Sequence, residues 1–368
     1  MKLETTKERL EAALSSVVRA TTRQTTLPVL SCVLLDVRDG TLTLRATNLD
    51  LGVEAVIPVK MGSSGIVAVP GLLLQSLISG LSAGTLVSLS GEQGNLVVAA
   101  PGRRAVLKGV PHDEFPVIPK IAPKDAFSVP VKELLLGLRS VWYSAASSGL
   151  KPELGSVLLS VDADTVTFAA TDAFRLAEKR IRVQGTSRAA FSHVLVPSRN
   201  IGEIIRILEA LAGDVDLVVD GSQLGLYGEG MYVTSRLVDA VFPDYRQIIP
   251  TTHFAEAVVL KHDLLRALKG VVVFSDKLNQ VRKRISPRTN RFELTTTNAD
   301  IGESIETIPA TLSGEDLDIV FNYRYLADCF QAIPEESVMM RFGGVGKPLV
   351  IRGVSDDSFL YLVMPMNV

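Results

Sequence analysis

The residues of this 368-residue chain that could do chemistry are few and do not converge. The four histidines, His112, His193, His253 and His262, share no metal-ligand spacing. Cys32 and Cys329 each stand inside an apolar run with no histidine in a nucleophile signature, and read as buried free thiols of a reducing compartment. The stretch "GGVGKP", Gly343–Pro348, has the glycines of a phosphate-binding loop, but Arg341 fills the first glycine position and Pro348 the required Ser/Thr position. A Gly-rich hairpin turn accounts for it. There is no G-x-S-x-G elbow, and Asp162 and Asp164 belong to a polar turn rather than a metal loop. A catalyst would need a polar, pKa-perturbed cluster in a cleft. Neither a catalytic residue nor a metal or cofactor is expected, and function falls to shape and surface.

Two surface features remain. The chain ends in "SFLYLVMPMNV", almost uncharged, where a terminus in water is ordinarily polar. This tail either completes a sheet or lines a surface that something binds. Strand alternation turns Tyr361 and Val363 one way and Leu362 and Met364 the other, and Pro365 is expected to cap an edge strand. The second feature is charge placement. The chain carries a net charge of −2, yet residues 5–23, 131–151 and 261–284 carry net +2, +2 and +5, leaving −11 for the rest. Solvated outer faces of amphipathic helices explain any one of these segments; three of one sign fit a polyanion approached from one side. Aromatic residues do not interleave with the cations and no recognition-helix signature occurs, so backbone contact without sequence readout is the expected mode.

The elements that carry these residues recur three times. Segments starting at Leu34, Leu158 and Arg284 each read strand, polar turn, strand, Thr-Asn or Thr-Asp, strand. Thr47, Thr171 and Thr297 are 124 and 126 residues apart, and the strand-to-helix residues Pro70, Pro197 and Asn322 are 127 and 125 apart. Asp39-Gly40 is a strong hairpin signal; Asp162–Thr165 and Thr289–Asn290 are weaker versions of it. Each unit opens with an amphipathic helix: Leu10, Leu14, Val17 and Val18 stripe the first, with Thr5 and Glu8 placed for a capping box. Val131, Leu134, Leu135, Leu138, Val141 and Trp142 stripe the second, and Leu260, Leu264, Leu265, Leu268, Val271 and Val272 the third. The Pro-bearing segments near 120–128 and 246–256 mark boundaries, giving domains 1–122, 126–249 and 254–368. The expected fold class is α+β, with two helices per domain on antiparallel sheets. No stretch approaches the roughly 18 apolar residues of a membrane span, and "MKLETTKERL" has no signal-peptide core, so a cytoplasmic protein without a membrane partner is expected.

With this triplication, "TLPVL" (Thr26–Leu30), "ATD" followed by "RLA" (Ala170–Ala177), "FPDYRQIIP" (Phe242–Pro250) and the terminal "MPM" resemble, in order and spacing over the whole chain, the bacterial β sliding clamps, processivity factors of DNA polymerase III. The resemblance implies a head-to-tail homodimer closing a six-domain ring around duplex DNA, bound without sequence specificity. It implies a replicative polymerase, a clamp loader and other clamp-motif proteins as partners. They would share a peptide pocket walled by Leu154, Thr171, Arg175 and Leu176, by Pro243 and Ile248, by Tyr325 and Pro348, and by Val363, Met364, Pro365 and Met366. Methionines suit a site shared by many apolar ligands. The DNA side would include Arg23, Gln24, Ser148, Lys151 and Arg199; the dimer contact would use Leu107, Val273 and Phe274.

The sequence departs from the family pattern at several of these places. Ala173 and Phe174 stand where Gly-His is frequent and enlarge that pocket wall, Gln247 replaces a common basic residue, and Asn367 replaces the usual penultimate Arg or similar polar group. Gln24 takes the place of an arginine, with Arg23 adjacent, and Leu72 follows the strand proline where a basic residue is frequent. The segment "KLNQVRKRISPRTN", Lys277–Asn290, is more basic than the pattern leads one to expect. The rival readings are a scaffold that uses the same pocket without encircling DNA, and an enzyme.

Overall fold

A computed structural model describes residues 1–22, 27–124, 126–183 and 191–366. The described residues form antiparallel sheets with six α-helices: α1 (Lys7–Val17), α2 (Gly71–Ser79), α3 (Val131–Val141), α4 (Ser198–Leu208), α5 (Lys261–Val272) and α6 (Tyr323–Asp328). The chain divides into two compact units, one mainly 1–135 with 199–237, the other mainly 136–183 with 238–366.

In the first unit a five-stranded sheet runs Lys60–Ser63, Lys2–Thr6, Leu86–Glu92, Asn95–Ala100, Arg103–Leu107. Beside it in the same unit is an eight-stranded sheet, Phe127–Pro130, Asp214–Asp220, Gln223–Gly228, Met231–Arg236, Leu51–Pro58, Thr41–Thr47, Cys32–Arg38, Gly65–Pro70. Its centre joins two sequence repeats, with Val233 opposite Val53. In the second unit a nine-stranded sheet runs Phe191–Pro197, Ser156–Asp162, Thr165–Thr171, Arg175–Arg182, Phe359–Val363, Leu349–Gly353, Ser337–Phe342, Ala255–Leu260, Ala310–Gly314. Here Leu176 pairs with Leu362, joining the second and third repeats. A four-stranded sheet, Gly302–Thr307, Arg291–Asn298, Gln280–Ser286, Leu317–Asn322, completes that unit. The middle repeat therefore gives strands to both units, and the repeat boundaries run alongside sheets. Around the first boundary Tyr232 Oη donates to the carbonyl of Pro119 at 2.8 Å and accepts the Ile121 N–H at 3.2 Å.

Local chemistry explains the recurrence. The hairpin Asp39-Gly40 has φ of 48° and 74°, the left-handed pair that a two-residue turn requires. Thr-Asn and Thr-Asp are turn-makers. Asn48 Oδ1 accepts the N–H groups of Asp50 and Leu51 at 3.0 and 2.8 Å; Asp172 Oδ1 accepts those of Phe174 and Arg175 at 2.9 and 3.0 Å; Asn298 Oδ1 accepts that of Asp300 at 3.0 Å. Each is an Asx turn holding two strands in register, so the motif is architectural. Gly137, inside α3, sits against the ring of Phe168; a Cβ there would lie 2.3 Å from it, which is why a poor helix former is retained.

Three expectations are corrected. The capping box at α1 is absent, because Thr5 ends up in the strand Lys2–Thr6 and Glu8 instead accepts the Gly84 N–H at 2.6 Å. Residues 261–284 are not one helix: α5 stops at Val272, and Arg282, Lys283 and Arg284 lie on the strand Gln280–Ser286. Arg282 and Arg284 pair with Asp318 at 3.3 and 3.4 Å, and Lys283 is wholly buried, so this excess of charge is no helical surface. Finally, Phe359–Val363 is an interior strand paired on both sides, and Pro365 lies beyond its end rather than capping an edge.

Candidate protein-docking groove

The tail completes a sheet and also reaches a surface. Tyr361, Leu362 and Val363 are buried, while Met364, Pro365 and Met366 are half-buried. The backbone stays pinned past the strand: the Met364 N–H donates to the Phe174 carbonyl and the Met366 N–H to the Val320 carbonyl, both at 2.8 Å. Met364 packs on a cluster formed by Leu158, Ala169, Leu176, Phe242, Tyr245 and Leu362. The segment after Val238 lies across this sheet face, anchored by Phe242 edge-on to Tyr245 and by the Tyr245 hydroxyl donating to Glu178. Burial and that contact push the tyrosine pKa up, keeping its proton on.

The predicted wall residues divide by exposure. Phe174 and Ile248 are 61% and 50% exposed, Ala173, Pro243 and Gln247 are exposed, and Tyr325 and Pro348 are half-buried. Leu154, Thr171, Leu176 and Val363 are buried and back the wall instead of facing solvent. Ala173 has φ of 77°, which explains glycine as the frequent residue there and holds Phe174 outward. Gln247 Nε2 donates to Asp244 Oδ2 at 2.7 Å.

Arg175 is held in place rather than offered to a ligand. Its Nε donates to Asp172 Oδ2 at 3.0 Å, its Nη1 to Asp328 and its Nη2 to the Tyr143 carbonyl at 2.7 Å, with the Tyr325 ring 4.6 Å from its Cζ. Burial alone would lower its pKa; Tyr361, Asp328 and Asp172 outweigh that and keep it charged. It ties the Asx turn to α6, and Asp172, Asp328 and Tyr143 are the residues sequence reasoning missed. The only signal for them was the placement of Asp172 three residues before Arg175.

The other predicted contacts fall as follows. Arg23, Gln24 and Asn367 lie outside the described residues. Ser148 and Lys151 are exposed between α3 and Ser156. Arg199, in the first turn of α4, is exposed but paired with Asp50 at 2.6 Å, which offsets its charge. Leu107 is 2% exposed, packed inside its own unit, whereas its neighbour Val106 is 52% exposed. One residue along a strand reverses the face. Val273 is 70% exposed and Phe274 half-buried. Among the described residues, no group of three or more His, Cys, Asp or Glu side chains could hold a metal ion, and no helix is long and apolar enough to cross a membrane.

Comparison with known proteins accords with this architecture. Family models for the N-terminal, central and C-terminal domains of the DNA polymerase III beta subunit match residues 1–119, 128–244 and 246–367. The beta sliding clamp of Synechococcus elongatus is 31% identical over 100% of this chain and 99% of its own, and that of Bacillus subtilis 25% identical over the whole of both. The crystal structure of the Pseudomonas aeruginosa sliding clamp superposes with a TM-score of 0.94 at 27% identity, covering both chains completely. That of the Thermotoga maritima beta subunit gives 0.93 at 26% identity, covering 100% of this chain and 99% of its own. The chain belongs to the DNA polymerase III beta subunit family, the bacterial sliding clamps, which are replication processivity factors and not enzymes.

Proposed function

We propose that the protein, as three clamp domains at 1–122, 126–249 and 254–368, forms a head-to-tail homodimer that closes around duplex DNA in the cytoplasm. It then tethers the replicative polymerase, the clamp loader and other motif-bearing proteins through the apolar surface around Phe174, Ile248 and Met364. The observation that carries the ring is a pair of unlike open sheet edges on one chain. The strand Arg103–Leu107 is an edge bearing Arg103 and Arg104, with Val106 exposed. The strand Gly302–Thr307 is an edge bearing Glu303 and Glu306, with Ile305 55% exposed. Edges invite pairing, opposite charge selects the partner, and a heterologous contact whose rotation closes makes a ring.

A topological hold needs no tight DNA contact. Lys151, Ser148 and an Arg199 already paired with Asp50 suit weak, water-mediated contact to phosphates that permits sliding. Val106→Asp or Val273→Asp is expected to yield monomers by sedimentation equilibrium, since each puts a charge in the apolar contact. Both variants remaining dimeric at nanomolar concentration would remove this interface. Negative-stain images of the wild-type oligomer should show a central hole; an open particle would favour the non-encircling scaffold.

A further inference from the structure

Resting on the docking reading above, we infer that the groove around Met364 continues into a cationic subsite that takes an acidic side chain flanking the partner's apolar motif. On the face of the nine-stranded sheet crossed by the segment after Val238 lies a cavity of about 220 Å³. Its polar wall is Thr251, Thr252, His253, Arg341 and Arg352; among the described residues no carboxylate lines it, and Glu256 pairs from outside with Arg341 at 2.7 Å and His253 at 3.8 Å. Ile249 and Leu360 line it too, and both pack on the same apolar cluster as Met364, so cavity and groove share one wall. Val350 and Arg352 alternate onto this face, as do Leu360, Leu362 and Met364.

The guanidinium groups keep unused donors. Among the described residues Arg341 gives Nε to Glu256 at 2.7 Å, and Arg352 gives Nη1 to Asp357. Arg352 Nε is buried with no hydrogen-bond partner. A cation with spare N–H groups on a cavity wall favours a carboxylate over a neutral amide as its ligand. Asp357 is 87% exposed and holds Arg352 only from the solvent side. Leu360 and Met364 are four residues apart, about 13 Å along an extended chain. An extended peptide anchored at Met364 therefore places a residue some four positions away over the cavity.

The test uses fluorescein-labelled, C-terminally amidated peptides with a Leu-Phe pair in a Ser/Gly background. Glu or Gln is placed at each offset from the pair, and binding to the full chain is followed by anisotropy. At low salt, Glu near the fourth position is expected to bind about three- to tenfold tighter than Gln, with the preference shrinking in high salt. Arg352→Gln is expected to erase the preference, bringing Glu and Gln peptides to equal affinity. Asp357→Asn, which removes only an exposed carboxylate and so leaves folding intact, widens it. Equal binding of Glu and Gln peptides at every offset overturns the subsite while leaving the apolar groove standing. Failure of every peptide, including the Gln series, overturns the groove reading and the subsite with it.

Discussion

Replacing Lys283 by methionine is expected to stabilise the folded chain by about 2–4 kcal/mol at pH 7, an unusual sign for a core substitution. Lys283 is fully buried in the middle of the strand Gln280–Ser286, with strands on both sides. Its ammonium position faces the Met340 sulfur at 3.9 Å and the rings of Phe321 and Phe342 at 5.7 and 5.9 Å, and among the described residues the titratable neighbour that bears on it is the buried Cys329 thiol. Burial pushes its pKa down to about 7. An unfolded lysine titrates near ~10.4, so between about pH 7 and 10 the unfolded chain holds more protons and stability rises with pH. Below the folded value both states are protonated and the full penalty persists. Urea melts across that range should show a slope in the wild type that the methionine variant lacks. Equal slopes, or a less stable variant at pH 7, would mean that the amine is charged and satisfied in place.

Truncation after Val363 is expected to weaken partner-peptide binding about 30-fold or more while the dimer persists. Val363 keeps its pairing to Arg175 and Leu349, so the sheet survives the cut. What disappears is Met364, its packing on the cluster around Leu176, and the backbone bond that fixes Phe174. Isothermal titration with a polymerase-derived peptide, paired with sedimentation of the same sample, separates the two effects. Unchanged peptide affinity would show that Met364 and Met366 are merely packing.

Local features of the fold were readable because their causes are local. Asp39-Gly40 dictates its turn through φ, and the Thr-Asx pair makes the same side-chain-to-backbone bonds wherever it recurs. The apolar stripes of α1, α3 and α5 face the core through Leu10, Leu14, Leu134, Leu138, Leu264 and Leu268, whereas Trp142 and Leu260, just outside the helix ends, are exposed. What could not be read depends on partners distant in sequence. That Phe359–Val363 is flanked on both sides follows from Arg175–Arg182 arriving against it, so a strand near the terminus looked like an edge. The inward face of Leu107 and the outward face of Val106 differ by one residue, which alternation permits in either sense. Lys283 looked like surface charge because burying an unpaired cation runs against the usual rule. In the groove, Arg175 was legible as a wall residue, but its duty to Asp172, Asp328 and Tyr143 joins positions up to 153 residues apart.

The closed ring on DNA is tested most directly by topology. The protein, loaded onto nicked circular duplex, is separated by gel filtration in high salt, where contacts to phosphate fade steeply. The expected result is co-elution with the circle and release after a single cut makes the DNA linear. Release from intact circles under the same salt, or equal retention on linear and circular DNA, would contradict encirclement.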